Sequence, residues 1–95
     1  MIRVTVSYPS AEGSTFNHDY YRNSHVPLVC KAWGISRFEI DKGVNGPNVA
    51  AVHLFLDSMD AVGAAMGSPA TAEVMADVAN YTNIAPVVQM SEVVE

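Results

Sequence analysis

The order of hydrophobic patterns along this 95-residue chain predicts an α+β fold running strand, helix, strand, strand, helix, strand. Three observations carry that expectation. Ile2, Val4, Val6 and Tyr8 alternate with Arg3, Thr5 and Ser7, the period of two that places one side of a strand against a core. Phe16 to Trp33 (FNHDYYRNSHVPLVCKAW) repeats with the period of a helix, and Val49 to Leu56 (VAAVHLFL) is nearly all apolar, as a central strand covered on both faces reads. Two strand–helix–strand halves joined by one hairpin give the ferredoxin-like βαββαβ arrangement, an antiparallel four-stranded sheet with its helices on one face.

Each element has its own punctuation. Pro9 ends the first strand, and a polar loop from Ser10 to Thr15 follows. Thr15 or Asn17 suits the N-cap of the first helix, with Asp19 favourably placed in its first turn. Pro27 lacks a backbone donor and crowds the carbonyl of Asn23, which predicts a kink or interruption there. Gly34 is a natural helix stop. Ile35 to Val44 alternates as a second strand, and the run from Gly43 to Asn48 has the composition of a hairpin loop. Asp57 or Ser58 caps a short helix through Met66, Ser68-Pro69 opens a further helical stretch that continues through Glu73 to Tyr81, and Val87 to Val94 forms the last strand.

The length allows a single domain over residues 1–95 with one core. Apolar residues make up 49% of the chain and charged residues only 16%, too few to cover a small surface well. Helices on one side of the sheet leave its other face bare. Pairing the bare faces of two copies would hide them in a barrel-like interior, so the expected assembly is a homodimer, a dimeric α+β barrel. The net charge of −5 and the scattered cations argue against nucleic acid or an anionic membrane as partner. One cysteine, Cys30, excludes an intrachain disulfide and fits a reducing cytoplasm. The N-terminus reads as a strand rather than a signal peptide, and no apolar run approaches the ~20 residues of a membrane span.

The candidate chemistry centres on the first helix. On a wheel of ~3.6 residues per turn, His18, Tyr21, His25, Leu28, Val29 and Ala32 share one face with His25 in the middle. Imidazole titrates near neutrality and can move a proton in either direction, so His25 is the candidate general acid/base; the competing reading is a core histidine bonded to a backbone carbonyl. Tyr21 and Leu28 would line the same pocket, Tyr21 by offering its hydroxyl to a ligand oxygen. His53 and Phe55 fall on the face of the central strand shared with Val49 and Ala51. If Ala50, Val52, Leu54 and Leu56 meet the helices, His53 points away from His25; with the faces reversed, His53 and Phe55 become ligand contacts too. Tyr20 falls nearer the outer side of the helix as a packing residue, Asp77 reads as a local cap or pairing partner, and Cys30 has no activating cation beside it. Histidine spacing suits no metal, and haem propionates would find few cations, so no cofactor is expected.

Tyr8-Pro9, Phe16, Asp19-Tyr20-Tyr21 and His25-Val26-Pro27-Leu28, followed by Ser68-Pro69 and Ala76-Asp77-Val78-Ala79-Asn80-Tyr81, together resemble the signature of the EthD family. That family takes its name from a protein associated with ethyl tert-butyl ether degradation. The resemblance implies a dimeric α+β barrel subunit acting in a catabolic or secondary-metabolic pathway, with ligands lying between helices and sheet. Relatives of the fold include lactone isomerases, polyketide cyclases, cofactor-free monooxygenases and haem-degrading enzymes. Asn17 and Asn83 depart from positions where the family often carries an acidic residue. The functional expectation is therefore a homodimer that binds a small apolar, oxygen-bearing molecule. It acts either as a cofactor-independent lyase, isomerase or oxygenase using His25, or as an accessory binding protein in which His25 is structural.

Overall fold

The alternating segments pair as their patterns demand. The structure, a computed structural model, describes residues 1–94. Four strands, β1 (Ile2–Pro9), β2 (Phe38–Lys42), β3 (Asn48–Leu56) and β4 (Val87–Glu92), form one sheet in the order β2-β3-β1-β4. Every pairing is antiparallel, with Val4 opposite Leu54 and Met90, and Ile40 opposite Val52. This is the ferredoxin-like order. Because β1 and β3 lie at the centre, their inward residues Val4, Tyr8, Ala50, Val52, Leu54 and Leu56 are the floor of the core. Ala50, Val52, Leu54 and Leu56 do face the helices, so His53 and Phe55 point to the opposite, open face of the sheet.

Two of the strands, β2 and β4, are shorter than their hydrophobic patterns. β2 spans Phe38–Lys42 rather than Ile35 to Val44, because Gly43 already turns: its N–H bonds to the Val49 carbonyl at 2.7 Å. A side chain at Gly43 would collide with the Asn48 carbonyl, so only glycine fits this close approach. β4 ends at Glu92, two residues before the end of the apolar run.

The helical segment over β1 and β3 is continuous but changes pitch. It runs as α1 (His18–Tyr20), a π-helical turn (Tyr21–His25) and α2 (Val26–Trp33). The expected disturbance at Pro27 takes the form of this wide turn. The Val26 N–H reaches back five residues to the Tyr21 carbonyl, and Pro27 then sits in the first turn of α2, where a missing donor costs little. Gly34 ends α2 in the left-handed region at φ 67°, and the Ile35 N–H closes on the Cys30 carbonyl at 2.9 Å.

The wide turn moves the inner stripe. A π turn holds about 4.4 residues, so each residue advances roughly 80° rather than ~100°. His25 and Val26 then straddle the direction of Tyr21, and both are buried, at 4% and 1% exposed. In an unbroken α-helix Val26 would face outward. Downstream, Val29 and Trp33 rather than Leu28 and Ala32 line the interior between helix and sheet.

The second helical segment follows the expected punctuation. Ser58 caps α3 (Met59–Met66), accepting from the Ala61 N–H, and α4 (Ala70–Asp77) follows, tightening into a 3₁₀ turn (Val78–Asn80). The Trp33 indole donates to Thr71 Oγ1 at 2.9 Å, and Thr71 donates on to the Ala65 carbonyl at 2.6 Å. That chain of bonds ties α2 to the α3–α4 corner and satisfies the only indole donor.

Candidate functional site

Two distant segments are stitched together to make the site. Phe16 forms an isolated antiparallel bridge with Thr82, and the Asn17 N–H bonds to the Tyr81 carbonyl at 2.8 Å. Thr82 Oγ1 donates to the Thr15 carbonyl, while Asn83 accepts from the Thr15 N–H and donates to the Gly13 carbonyl. Asn17 also caps α1 by accepting from the Tyr20 N–H at 3.1 Å. The two asparagines that depart from the family pattern are therefore structural here. They fix the start of α1 against the end of the 3₁₀ turn, which lays Tyr20 and His25 beside Asp77.

Asp77 is the hub. His25 Nδ1 lies 2.9 Å from Asp77 Oδ2. The Tyr20 hydroxyl donates to Asp77 Oδ1 at 2.7 Å, and the Asn80 amide donates to the same oxygen at 2.9 Å. Burial alone would raise the Asp77 carboxyl; donation from Tyr20, Asn80 and His25 outweighs it and holds the group below the usual carboxylate range. An ionised carboxylate only accepts, so His25 Nδ1 carries the hydrogen. Burial pushes the imidazole below its ordinary value, and Asp77 pulls it only part of the way back. His25 is then neutral at pH 7, with the lone pair on Nε2. Among the described residues no side chain or backbone group bonds that nitrogen.

The aromatic neighbours fix the ring. Tyr21 stacks on His25 with centroids 5.6 Å apart and planes 16° from parallel, and Tyr81 lies 4.5 Å away at 55°. Tyr8 and Tyr81 share a hydroxyl–hydroxyl hydrogen bond of 2.5 Å. The Tyr21 hydroxyl is buried and has no partner among the described residues.

His25, Tyr21 and Tyr8 line a cavity of about 200 Å³ between the sheet and the α2–α4 pair. Its remaining wall comes from Val6, Val29, Trp33, Leu54, Val74, Met75 and their apolar neighbours, with Thr71 the one further polar side chain. No lysine, arginine, aspartate or glutamate contributes to it.

Of the residues expected at a binding site, Tyr21 and His25 come together and three do not. Leu28 is half-buried on the flank of α2 that the wide turn rotates off the cavity. His53 and Phe55 lie across the sheet. There His53 Nδ1 meets Thr5 Oγ1 at 3.1 Å and Nε2 meets Asp41 Oδ2 at 2.7 Å, while the Arg37 guanidinium sits 4.3 Å over the Phe55 ring. Tyr20 packs against the core as expected and in addition donates to Asp77, a bond that the helix pattern does not foretell. Among the described residues no group of three histidine, cysteine, aspartate or glutamate side chains could hold a metal ion, and no helix is long and apolar enough to cross a membrane.

A group whose folded pKa is depressed stabilises the fold above its unfolded pKa and loses that contribution on acidification. His25 and Asp77 are both depressed, so their contributions have the same sign. Stability is expected to fall as pH drops below about 6.5, the unfolded imidazole value, and to fall further through the carboxylate range near pH 4. Urea midpoints measured from pH 8 to pH 2 check this, the carboxylate part appearing below pH 4. A His25→Asn variant should lose the upper part of the decline, and an unchanged curve would count against a neutral buried imidazole.

The fold and the site together define a ferredoxin-like α+β domain with a histidine–aspartate pair whose histidine lines an apolar cavity. The EthD domain profile matches residues 13–85. An uncharacterised 11.0 kDa protein from the thcB–thcC intergenic region of Rhodococcus erythropolis is 32% identical over 88 residues, covering 87% of this chain and 85% of the relative. This chain belongs to the EthD family. Among solved structures, an EthD-like protein from Ralstonia eutropha JMP134 shares 41% identity at a TM-score of 0.90, over 99% of this chain and 92% of that one. An ethyl tert-butyl ether degradation (EthD) family protein from Bacillus halodurans superimposes with a TM-score of 0.77 at 17% identity, over 98% of both chains.

Proposed function

We propose that this protein binds a small, mostly apolar, oxygen-bearing molecule between α2, α4 and the sheet, and moves a proton on it with His25 as general acid/base. The observation that carries this reading is the 2.9 Å contact of His25 Nδ1 with Asp77, which leaves an unpartnered basic Nε2 on a residue of the cavity wall. A carboxylate behind an imidazole sets the tautomer and supports the imidazolium that forms when Nε2 takes a proton. The chemistry requires no cofactor and fits a lyase or isomerase. The test is a screen of small neutral organic compounds against the full chain, followed by deuterium exchange into any binder. Exchange that His25→Asn leaves unaltered would sink the acid/base role.

A second reading, a binding protein without chemistry, draws on the same cavity, whose wall offers carbon surface and few polar groups. Under it the screen yields ligands and no exchange.

The assembly we infer is a homodimer through the open sheet face, in a reducing cytoplasm that suits the single cysteine. Val49, Phe55 and Val87 put apolar surface on that face around the small, buried Ala51, and Val87 is 55% exposed. Ala51→Glu would bury a carboxylate at its centre. Sedimentation velocity should show wild type at twice the chain mass and the variant dissociating at concentrations at least roughly 100-fold higher. A variant that stays dimeric at the wild-type concentration would place the contact elsewhere.

A further inference from the structure

Hydrogen-bond bookkeeping around the cavity identifies what its ligand must supply. Thr71 is fully used, accepting from Trp33 and donating to Ala65. Tyr8 and Tyr81 use one hydroxyl hydrogen between them. What remains is the second hydrogen of that pair, together with the buried Tyr21 hydroxyl, which has no partner among the described residues, and one basic acceptor, His25 Nε2, on the ring stacked beside Tyr21. A buried hydroxyl without a partner is costly, and a ligand oxygen that accepts from it recovers that cost. Burial raises the Tyr21 phenol well above its ordinary value, so it stays protonated and works as a donor. The wall carries no cation, and an anion entering it would lose its hydration without compensation. The cavity, about 200 Å³, is somewhat larger than the ~150 Å³ engineered apolar cavities that take benzene, which sets the scale at a single ring with a short substituent.

We propose that the cavity selects an uncharged, single-ring-sized carbonyl compound whose oxygen accepts from the Tyr21 hydroxyl and whose adjacent C–H is presented to His25 Nε2. This inference rests on the general-base reading for its chemistry and on Tyr21 for its recognition. The step balances without a redox partner. Nε2 takes the proton from the carbon next to the carbonyl, the C–H electron pair forms the carbon–carbon double bond, and the carbonyl π pair moves to the oxygen held by Tyr21. Return of the proton from the imidazolium to carbon or to oxygen gives the ketone or its enol.

Three probes of similar size separate the terms: acetophenone, ethylbenzene and benzoate, titrated calorimetrically into wild type and Tyr21→Phe. Wild type is expected to bind acetophenone at least about tenfold more tightly than either other probe. Tyr21→Phe should lose about 5- to 10-fold for acetophenone and nothing for ethylbenzene. Its unliganded melting temperature should equal or exceed that of wild type, because the substitution removes an unpartnered polar atom rather than a bond. A Tyr21→Phe protein that melts lower and keeps the wild-type binding order would make the hydroxyl structural and overturn the proposal. So would tightest binding of benzoate. Exchange of the acetophenone methyl hydrogens in deuterium oxide reads the general-base step separately. If the binding pattern holds and wild type shows no exchange, the base reading fails and the recognition by Tyr21 stands.

Discussion

Replacing His25 with asparagine is expected to slow deuterium exchange into a bound ketone by about 100- to 10,000-fold, the range over which positioned general bases act. The substitution is chosen for what it retains. An asparagine amide N–H can donate to Asp77 much as His25 Nδ1 does at 2.9 Å, so the hub keeps its three donors from Tyr20, Asn80 and residue 25. What disappears is the basic Nε2. Nuclear magnetic resonance of the ligand in deuterium oxide measures the rate, and a calorimetric titration beside it shows that binding survives. Asp77→Asn makes a useful companion, because Asp77 acts through the imidazole rather than on the ligand. Asp77 holds the His25 pKa up against burial, so removing its charge should move the midpoint of the rate–pH profile downward. A purely structural Asp77 would leave that midpoint in place.

The largest expected loss of stability comes from Leu54→Ala. Leu54 is 1% exposed at the centre of β3, opposite Val4 on one neighbour and Phe38 on the other. Large-to-small changes at such positions cost about 2–5 kcal/mol, and the upper part of that range applies where the surroundings cannot collapse. Here they cannot collapse readily, because Leu54 already borders the cavity. Against a total of roughly 5–14 kcal/mol for a domain of this length, the loss is large. Urea denaturation at fixed protein concentration measures it, concentration being held constant because dimer formation would contribute to apparent stability. The removed atoms also enlarge the cavity, so the variant should accept a bulkier ring than wild type. A cost below about 1 kcal/mol would mean that the helices settle onto the sheet instead.

How much of this was legible in the chain depends on the range of the interaction. The strands could be read because a period of two in β1 and a nearly all-apolar β3 follow from local geometry alone. So could Gly34, Ser58 and the break near Pro27, each of which acts within a turn of itself. The inner stripe of the first helix holds for Tyr21, His25 and Val29 and fails at His18, Leu28 and Ala32. The wheel assumed a constant pitch, and the π turn substitutes Val26 and Trp33 for Leu28 and Ala32. The faces of β3 left His53 undecided until the sheet order was known, since alternation separates two sides without saying which one meets the helices. Asp77 was out of reach for another reason: 52 residues separate it from His25, and no period connects them. Its one advance sign was its place in the Ala76–Tyr81 segment of the family signature. Asn17 and Asn83 looked like lost acidic groups and proved to be a helix cap and a loop clamp, roles that depend on partners across the fold.

The wide turn between α1 and α2 is also the shape that a one-residue insertion takes inside an α-helix, since it closes a hydrogen bond over five residues where four would do. Arg22, Asn23 and Ser24 are the solvent-facing residues that take up the slack. Loss of any one of them is expected to restore the regular pitch and turn the histidine about the helix axis relative to Asp77. Segment length, beside the His25-Val26-Pro27-Leu28 sequence itself, therefore sets where the His25 imidazole lies relative to Asp77. The scaffold and the His25–Asp77 contact can part company through the loss of a single codon.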